Sequence, residues 1–188
     1  HLLFTSTKFS KSVFPALCLF LILLVAGSCQ KIKDYLEPEV KITKIADGFA
    51  SPIGVEADQY GRIWVAEMGT GKNDGKVSVV TKDGKKYAVY TGFESFKLDN
   101  GEIAGPSHLL ISNGVLYIVG GHSKLYKANP SSYQTGDAPK DASTLSYEDI
   151  GAFVLDYDFK YKIYESNAYG IVAGDGSNIY LTDAASNA

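Results

Sequence analysis

Carboxylate and imidazole side chains recur at matching ends of three similar segments of the chain. Glu67, His108 and Asp183 occupy these positions. Oxygen and imidazole ligands on a rigid frame could bind Ca²⁺ or another divalent ion, which would polarise an ester carbonyl or activate water. A single acidic residue after a strand also caps turns, however, and an isolated histidine often makes only structural hydrogen bonds. Because no two of these residues have the close spacing of a diagnostic metal motif, both interpretations stay open.

Other common chemistries find no support in the sequence. The glycine-rich residues 67–76 lack the Gly-x-x-x-x-Gly-Lys-Ser/Thr spacing of a phosphate loop. No Gly-x-Ser-x-Gly nucleophile elbow occurs. The 188 residues carry a formal net charge of -3, from 18 basic and 21 acidic side chains, so no basic excess favours binding to a polyanion. We therefore expect no nucleic-acid partner.

Three segments share a pattern of two short apolar strands around a turn rich in Gly, Asn or Asp. They span residues 51–67, 105–120 and 167–183. Because these turn residues can adopt positive φ, each segment is predicted to form a β-hairpin. After the first hairpin, residues 76–80 and 86–90 predict two further strands joined by a turn at Asp83 and Gly84. One repeat is therefore predicted to comprise four short antiparallel strands.

A repeated four-stranded unit with glycine-rich hairpins is typical of a β-propeller. One such sheet cannot bury both of its faces, whereas neighbours around an axis bury them and ring closure protects the strand edges. Residues 40–188 hold about two and a half blades, and a ring takes about 4–8. We therefore expect an all-β, C-terminally truncated propeller domain that is poorly stable alone. A β-sandwich or meander is the alternative.

The intervals between the repeats predict insertions, and the start of the chain predicts a fragment. The longer insertion begins as a loop at residues 129–139, and residues 147–154 are expected to form a short helix. The first residue is His1 rather than Met, which we interpret as a sign that the sequence is part of a longer chain.

Polar residues are expected to gather at one end of the predicted blades. The loop that enters the first strand and the loop that follows the second strand would lie on the same face, which is the usual ligand face of propellers. Besides the three metal candidates, this face would collect Ser51, Ser107, His122 and Asn167. Four tyrosines between residues 157 and 169 could pack between blades, or could stack on a sugar or pigment ring.

The N-terminal residues predict export. Lys8 and Lys11 precede an apolar run at residues 13–27, which is short for a membrane span but suits a signal peptide. The small residues 26–28 before Cys29 resemble the lipobox of bacterial lipoproteins. We predict a lipoprotein signal peptide at residues 1–28, lipidation of Cys29 and a polar tether at residues 29–39. The alternatives are an ordinary secretory signal and an N-terminal membrane helix.

Several stretches resemble the ScyD/ScyE family, whose propellers are similar to six-bladed NHL and gluconolactonase-like propellers. The matching stretches are residues 45–54, 61–67, 104–106, 149–153 and 165–171, within residues 41–188. The resemblance implies an exported, six-bladed propeller. It implies no catalytic residues, because the molecular role of the family is poorly defined.

These patterns predict a binding or scaffold module in the bacterial cell envelope. It would be attached to the membrane through the N-terminal lipid, and Gln30 after the cysteine favours the outer membrane by resemblance to Gram-negative lipoproteins. Its ligand could be a small molecule, a glycan or a protein. The alternative is a metal-dependent lactonase or gluconolactonase-like hydrolase on the same fold, which would use a divalent ion such as Ca²⁺.

Overall fold

The computed structural model describes residues 40–186. The chain divides into two units, His1–Lys44 and Ile45–Ala188. Of the first unit, the described residues 40–44 contain no helix or strand. The predicted signal peptide, the lipidation site Cys29 and the tether at residues 29–39 lie outside the described residues.

The second unit is built mostly from β-strands. In chain order they are β1 (Pro52–Ala57), β2 (Ile63–Glu67), β3 (Gly75–Val80), β4 (Lys86–Phe93), β5 (Phe96–Lys97), β6 (Ile103–Ala104), β7 (His108–Ser112), β8 (Val115–Val119), β9 (Lys124–Ala128), β10 (Lys140–Asp141), β11 (Ser146–Asp149), β12 (Ala168–Ala173) and β13 (Ile179–Asp183). A helix, α1 (Ile150–Asp156), follows β11, and single 3₁₀ turns cover Gly121–Ser123, Pro130–Ser132 and Ala142–Thr144.

The three predicted hairpins are confirmed as the antiparallel pairs β1–β2, β7–β8 and β12–β13. The first sheet has the order β1-β2-β3-β4-β10, and its first four strands are antiparallel as predicted. The turn between β1 and β2 is held by Asp58, whose carboxylate accepts hydrogen bonds from the backbone N–H groups of Tyr60 and Arg62. Gly84 adopts a φ of +78° in the turn between β3 and β4, as expected for an Asp-Gly turn.

The second sheet also contains four antiparallel strands, in the order β11-β9-β8-β7. Its fourth strand, β11, lies within the insertion at Ser146–Asp149 and includes residues 147–149 of the segment 147–154 that was expected to be helical. The helix begins only at Ile150, because the Asp149 carboxylate accepts a hydrogen bond from the N–H of Ala152 at 2.8 Å and caps it there. The insertion also contributes β10, a parallel edge strand on β4 that the sequence did not predict.

The third sheet is the hairpin β12–β13, and a fourth is the short hairpin β5–β6. The second sheet packs between the first and the third. One core joins the first two sheets through Trp64, Val77, Leu116 and Ile118. On the opposite face of the second sheet, Val119 and Leu125 pack with Ala168 of the third sheet. The described chain is thus mostly β, with several antiparallel sheets, none of which is closed within residues 40–186.

The insertion is attached to the first sheet at the end where β1 turns into β2. The Arg62 guanidinium donates to the carbonyl oxygens of Pro130 and Tyr133, at 3.1 and 3.2 Å. Asp58 accepts from Arg62 Nε at 2.6 Å and from Trp64 Nε1 at 3.0 Å. Burial of Asp58 opposes its ionisation, but the hydrogen bonds from Trp64 and Arg62 outweigh this and lower its pKa below the ordinary value.

Candidate functional site

A groove of about 830 Å³ lies at the end of the sheets opposite the turn at Asp58. It is formed by loops that enter the first strand of each hairpin and by loops that follow the second strand. Its lining residues are Ser51, Ile53, Met68, Phe96, Leu98, Gly101–Gly105, Ser107, Gly120–Ser123 and Glu165–Tyr169. The structure therefore places four of the seven residues of the predicted ligand face around one groove, namely Ser51, Ser107, His122 and Asn167. The three metal candidates, Glu67, His108 and Asp183, are not among its lining residues.

Three non-glycine residues of the groove have left-handed backbone conformations. The φ angles are +52° at Ser51, +54° at His122 and +54° at Ser123. Such conformations cost about 1–2 kcal/mol for a residue with a Cβ and persist only where surrounding contacts hold them. Because all three residues line the groove, the contacts that position their side chains there outweigh the cost of a positive φ.

One wall of the groove is aromatic. The His122 imidazole stacks on the Phe96 ring, with ring centroids 4.4 Å apart and an interplanar angle of 14°. Phe96 belongs to the short hairpin β5–β6, and Gly121 lies close enough that a Cβ there would be 3.4 Å from Phe96 Cε1. Tyr169 adds a second aromatic ring, which is 46% exposed.

Hydrogen bonds between three hydroxyl or carboxyl groups hold the floor of the groove. The Ser166 hydroxyl lies 2.5 Å from Asp183 Oδ2 and 2.9 Å from Ser123 Oγ. Ser123 Oγ also accepts from the backbone N–H of Ala168 at 2.9 Å. These hydrogen bonds connect the loop that follows β8 in the second sheet with the loop that enters β12 in the third sheet, beneath the groove.

The Asp183 carboxylate also accepts backbone hydrogen bonds. Asn167 N–H donates to it at 3.0 Å, and Ser186 N–H at 2.9 Å. Burial raises the pKa of Asp183, but the hydrogen bonds from Ser166, Ser186 and Asn167 outweigh that effect, so its pKa lies below the ordinary 3.8. Asp183 thus organises the loop that enters its own hairpin.

Glu67 has the corresponding position and a similar role in the first hairpin. It is completely buried; its Oε2 accepts from the N–H of Ala50 at 2.7 Å, and its Oε1 accepts from the Ser78 hydroxyl at 2.5 Å. Lys76 Nζ lies 3.7 Å from the same carboxylate. Both carboxylates proposed as metal ligands therefore accept hydrogen bonds from the loop before their own hairpin.

His108 does not share that position. It begins β7 and pairs with Val119, so it is a first-strand residue, whereas Glu67 and Asp183 end second strands. Its ring packs against Tyr169 with centroids 4.5 Å apart, and its buried Nδ1 has no hydrogen-bond partner among residues 40–186. Burial lowers the pKa of His108 below the ordinary 6.5.

The three metal candidates do not form a common site. Among residues 40–186, no group of three or more His, Cys, Asp or Glu side chains is placed to bind a metal ion. The metal-dependent hydrolase therefore stays a prediction.

Several groove residues were not predicted as site residues from the sequence. They are Phe96, Glu102, Ser123, Glu165 and Ser166. For all of these except Ser123, one available signal was the length of the connection that contains them, residues 94–107 or 150–167, each of which enters a first strand at this end. Extra length in such connections often builds binding sites.

Comparison of the chain with protein-family models, with curated proteins and with solved structures gave no match. The resemblance to the ScyD/ScyE family therefore stays a prediction. In the described part of the chain, no helix combines the length and the apolar character needed to cross a membrane.

Proposed function

We propose that the chain is part of an exported, lipid-anchored β-propeller that acts as a binding module, with its ligand site in the groove. The observation that carries the proposal is the position of the groove, to which connections from the sheets of all three hairpins contribute, together with the short hairpin β5–β6. Long loops on a rigid β scaffold are a common way to build a binding site.

The succession of the sheets supports a propeller. β1 lies next to β7, and β7 next to β12, so the first strands of the three hairpins are neighbours. The same hydrogen bond closes the first and third hairpins at the groove. Met68 N–H donates to Ser51 O in the first, and Ala184 N–H donates to Asn167 O in the third. Equivalent strands side by side are expected around a propeller axis and not across a two-layered sandwich.

The outer faces of the stack also favour additional blades. Trp64 of the first hairpin is completely buried by the second sheet, whereas the corresponding Tyr180 of the third hairpin is 59% exposed. Conversely, Leu109 of the second hairpin is only 6% exposed, whereas the corresponding Val55 of the first is 67% exposed. Both open faces thus present apolar residues at positions that a neighbouring sheet covers elsewhere in the stack.

Binding is favoured over catalysis by the way the carboxylates are used. Glu67 and Asp183 both accept backbone hydrogen bonds from adjacent loops. The groove is lined instead by hydroxyl groups, aromatic rings and the two exposed carboxylates Glu102 and Glu165. Such a lining offers shape and hydrogen bonds to a ligand.

The proposal is tested by blocking the groove. Asn167 is exposed and lines the groove, so Asn167→Trp should fill space without disturbing the core. Gln134→Trp, at an exposed residue outside the lining, is the matched control. Saturation-transfer NMR with neutral oligosaccharides, oligogalacturonate, spermidine and small aromatic acids should detect binding that Asn167→Trp abolishes and Gln134→Trp retains. Absence of binding by all four probe classes, or equal binding by both variants, would overturn the proposal.

A further inference from the structure

We propose that the groove binds a neutral carbohydrate chain whose sugar rings lie against its aromatic wall. This inference rests on the proposed binding function and adds the chemical class of the ligand. It is drawn from the charges, ring faces and hydrogen-bonding groups of the described lining residues.

The charge of the groove disfavours anionic ligands. Among the described lining residues there is no Lys or Arg, whereas Glu102 and Glu165 are both exposed carboxylates. Lys124, which follows the lining residue Ser123, does not line the groove and is paired with Glu94 at 3.1 Å. A phosphate, sulfate or carboxylate group would therefore find no Lys or Arg among the lining residues to pair with.

The aromatic residues offer ring faces of the size of a sugar. His122 is exposed, and its stacking on Phe96 holds the plane of the imidazole in place. Tyr169 is held by its contact with His108 while it remains accessible from the groove. Flat rings with fixed orientation present apolar surface at low entropic cost, which suits the C–H face of a pyranose.

The polar groups match a ligand with many hydroxyls. The carboxylates of Glu102 and Glu165 can each accept hydrogen bonds from adjacent hydroxyl groups, because an ionised carboxylate has two acceptor oxygens. The hydroxyls of Ser51 and Ser107 can donate or accept at the same groove. A polyhydroxylated ring uses both kinds of group together with the aromatic surface, whereas a simple amine uses only the acceptors.

An amine ligand fits less well. Glu102 and Glu165 are solvent-exposed, so their attraction for a cation is screened by water and salt. The rings of the aromatic wall are held by contacts with other rings, and they select ring shape more than charge. The geometry therefore points to a neutral sugar chain.

The test uses the full chain and three defined probe classes: neutral hexasaccharides (cello-, malto- and xylohexaose and fully N-acetylated chitohexaose), oligogalacturonate and spermidine. We expect at least one neutral hexasaccharide to bind, and Tyr169→Ala and Glu102→Gln each to weaken it about tenfold. Tyr161→Ala is the matched control, since Tyr161 is exposed and lies outside the lining. Its affinity should equal that of the unchanged chain.

The outcomes separate this inference from the proposed function. Binding of oligogalacturonate or spermidine alone, lost in Asn167→Trp, would overturn the carbohydrate assignment and leave the binding function standing. Hexasaccharide binding that is unaffected by both Tyr169→Ala and Glu102→Gln would also overturn it. If none of these probes binds in a groove-dependent way, the carbohydrate assignment falls, and if small aromatic acids also fail to bind, the proposed function falls with it. Saturation-transfer contacts from sugar ring protons provide an independent readout if Tyr169→Ala lowers the stability of the fold.

Discussion

Gly54 in β1 faces the carbonyl oxygen of Ser107 so closely that a Cβ at Gly54 would lie 2.2 Å from it. The same Cβ would be 3.0 Å from His108 Cα, so backbone atoms of the second sheet surround the position. Side chains can rotate away from a clash, but two packed backbones cannot. The contact between β1 and β7 thus depends on a residue without a side chain.

Gly54→Ala should therefore destabilise the fold by about 1–3 kcal/mol or more, because the first two sheets must separate to admit the methyl group. Urea unfolding followed by circular dichroism measures this effect. Ala57→Val is the matched control, since it enlarges an exposed residue of the same strand and should change stability by less than about 0.5 kcal/mol. Equal unfolding midpoints for Gly54→Ala and the unchanged chain would contradict the close approach.

Asp183→Asn should loosen the floor of the groove. An amide can accept fewer of the hydrogen bonds from Ser166, Asn167 and Ser186, and we expect a loss of about 1–3 kcal/mol in the free energy of unfolding. Asp99→Asn, an exposed carboxyl in the β5–β6 turn, should have little effect. Hydrogen exchange at Asn167 and Ala168 should accelerate only in Asp183→Asn.

The lowered pKa of Asp183 also predicts an acid dependence of stability. Because the folded pKa lies below the unfolded value, the stabilisation is fully present above about pH 4 and is lost as pH falls through the folded pKa. Unfolding midpoints measured from pH 6 to pH 2 should fall more steeply for the unchanged chain than for Asp183→Asn. Parallel curves would show that the carboxylate is not preferentially ionised in the fold.

His108 predicts a second pH dependence, at higher pH. Burial lowers its folded pKa below the unfolded value of 6.5, so the unfolded chain binds the proton more readily. Above about pH 6.5 His108 is mostly neutral in both states, so its titration costs no stability. As the pH falls from 6.5 to the folded pKa, the unfolded chain binds the proton first and the fold loses stability.

His108→Phe should flatten the stability profile between pH 7 and pH 5, because it keeps a ring against Tyr169 but cannot bind a proton. The control His122→Asn removes an exposed imidazole at a left-handed position that Asn tolerates, and it should keep the slope. Thermal midpoints at half-unit pH intervals provide the measurement. If the slope persists in His108→Phe, the pH dependence of stability comes from other titratable groups.

Cys29→Ala should abolish attachment to the membrane. Expressed with its leader in a Gram-negative host, the unchanged chain should incorporate an alkyne-labelled palmitate and sediment with the membranes, because a lipidated N-terminal cysteine anchors the protein. Cys18→Ala is the control and should keep the label, since Cys18 lies in the predicted signal peptide. Labelling of Cys29→Ala would place the lipid at another residue.

Much of the fold follows from local patterns. Alternating apolar residues around Asp83–Gly84 and the other turns predict the strands of the first sheet and all three hairpins. The position of Ser51, Ser107, His122 and Asn167 at strand ends also predicts that they gather at one end, and they do line one groove. Hairpin register depends on neighbours in the sequence, which is why these features are readable there.

Contacts between distant residues had to come from the tertiary structure. The pairing of β10 with β4, the stacking of His122 on Phe96 and the hydrogen bonds from Ser166 to Ser123 and Asp183 each join separate segments of the chain. The two candidate carboxylates likewise became loop-organising groups only once Ala50 and Asn167 were placed beside them. Such contacts depend on the paths of the long connections, and those paths are selected by packing of the whole core rather than by local periodicity.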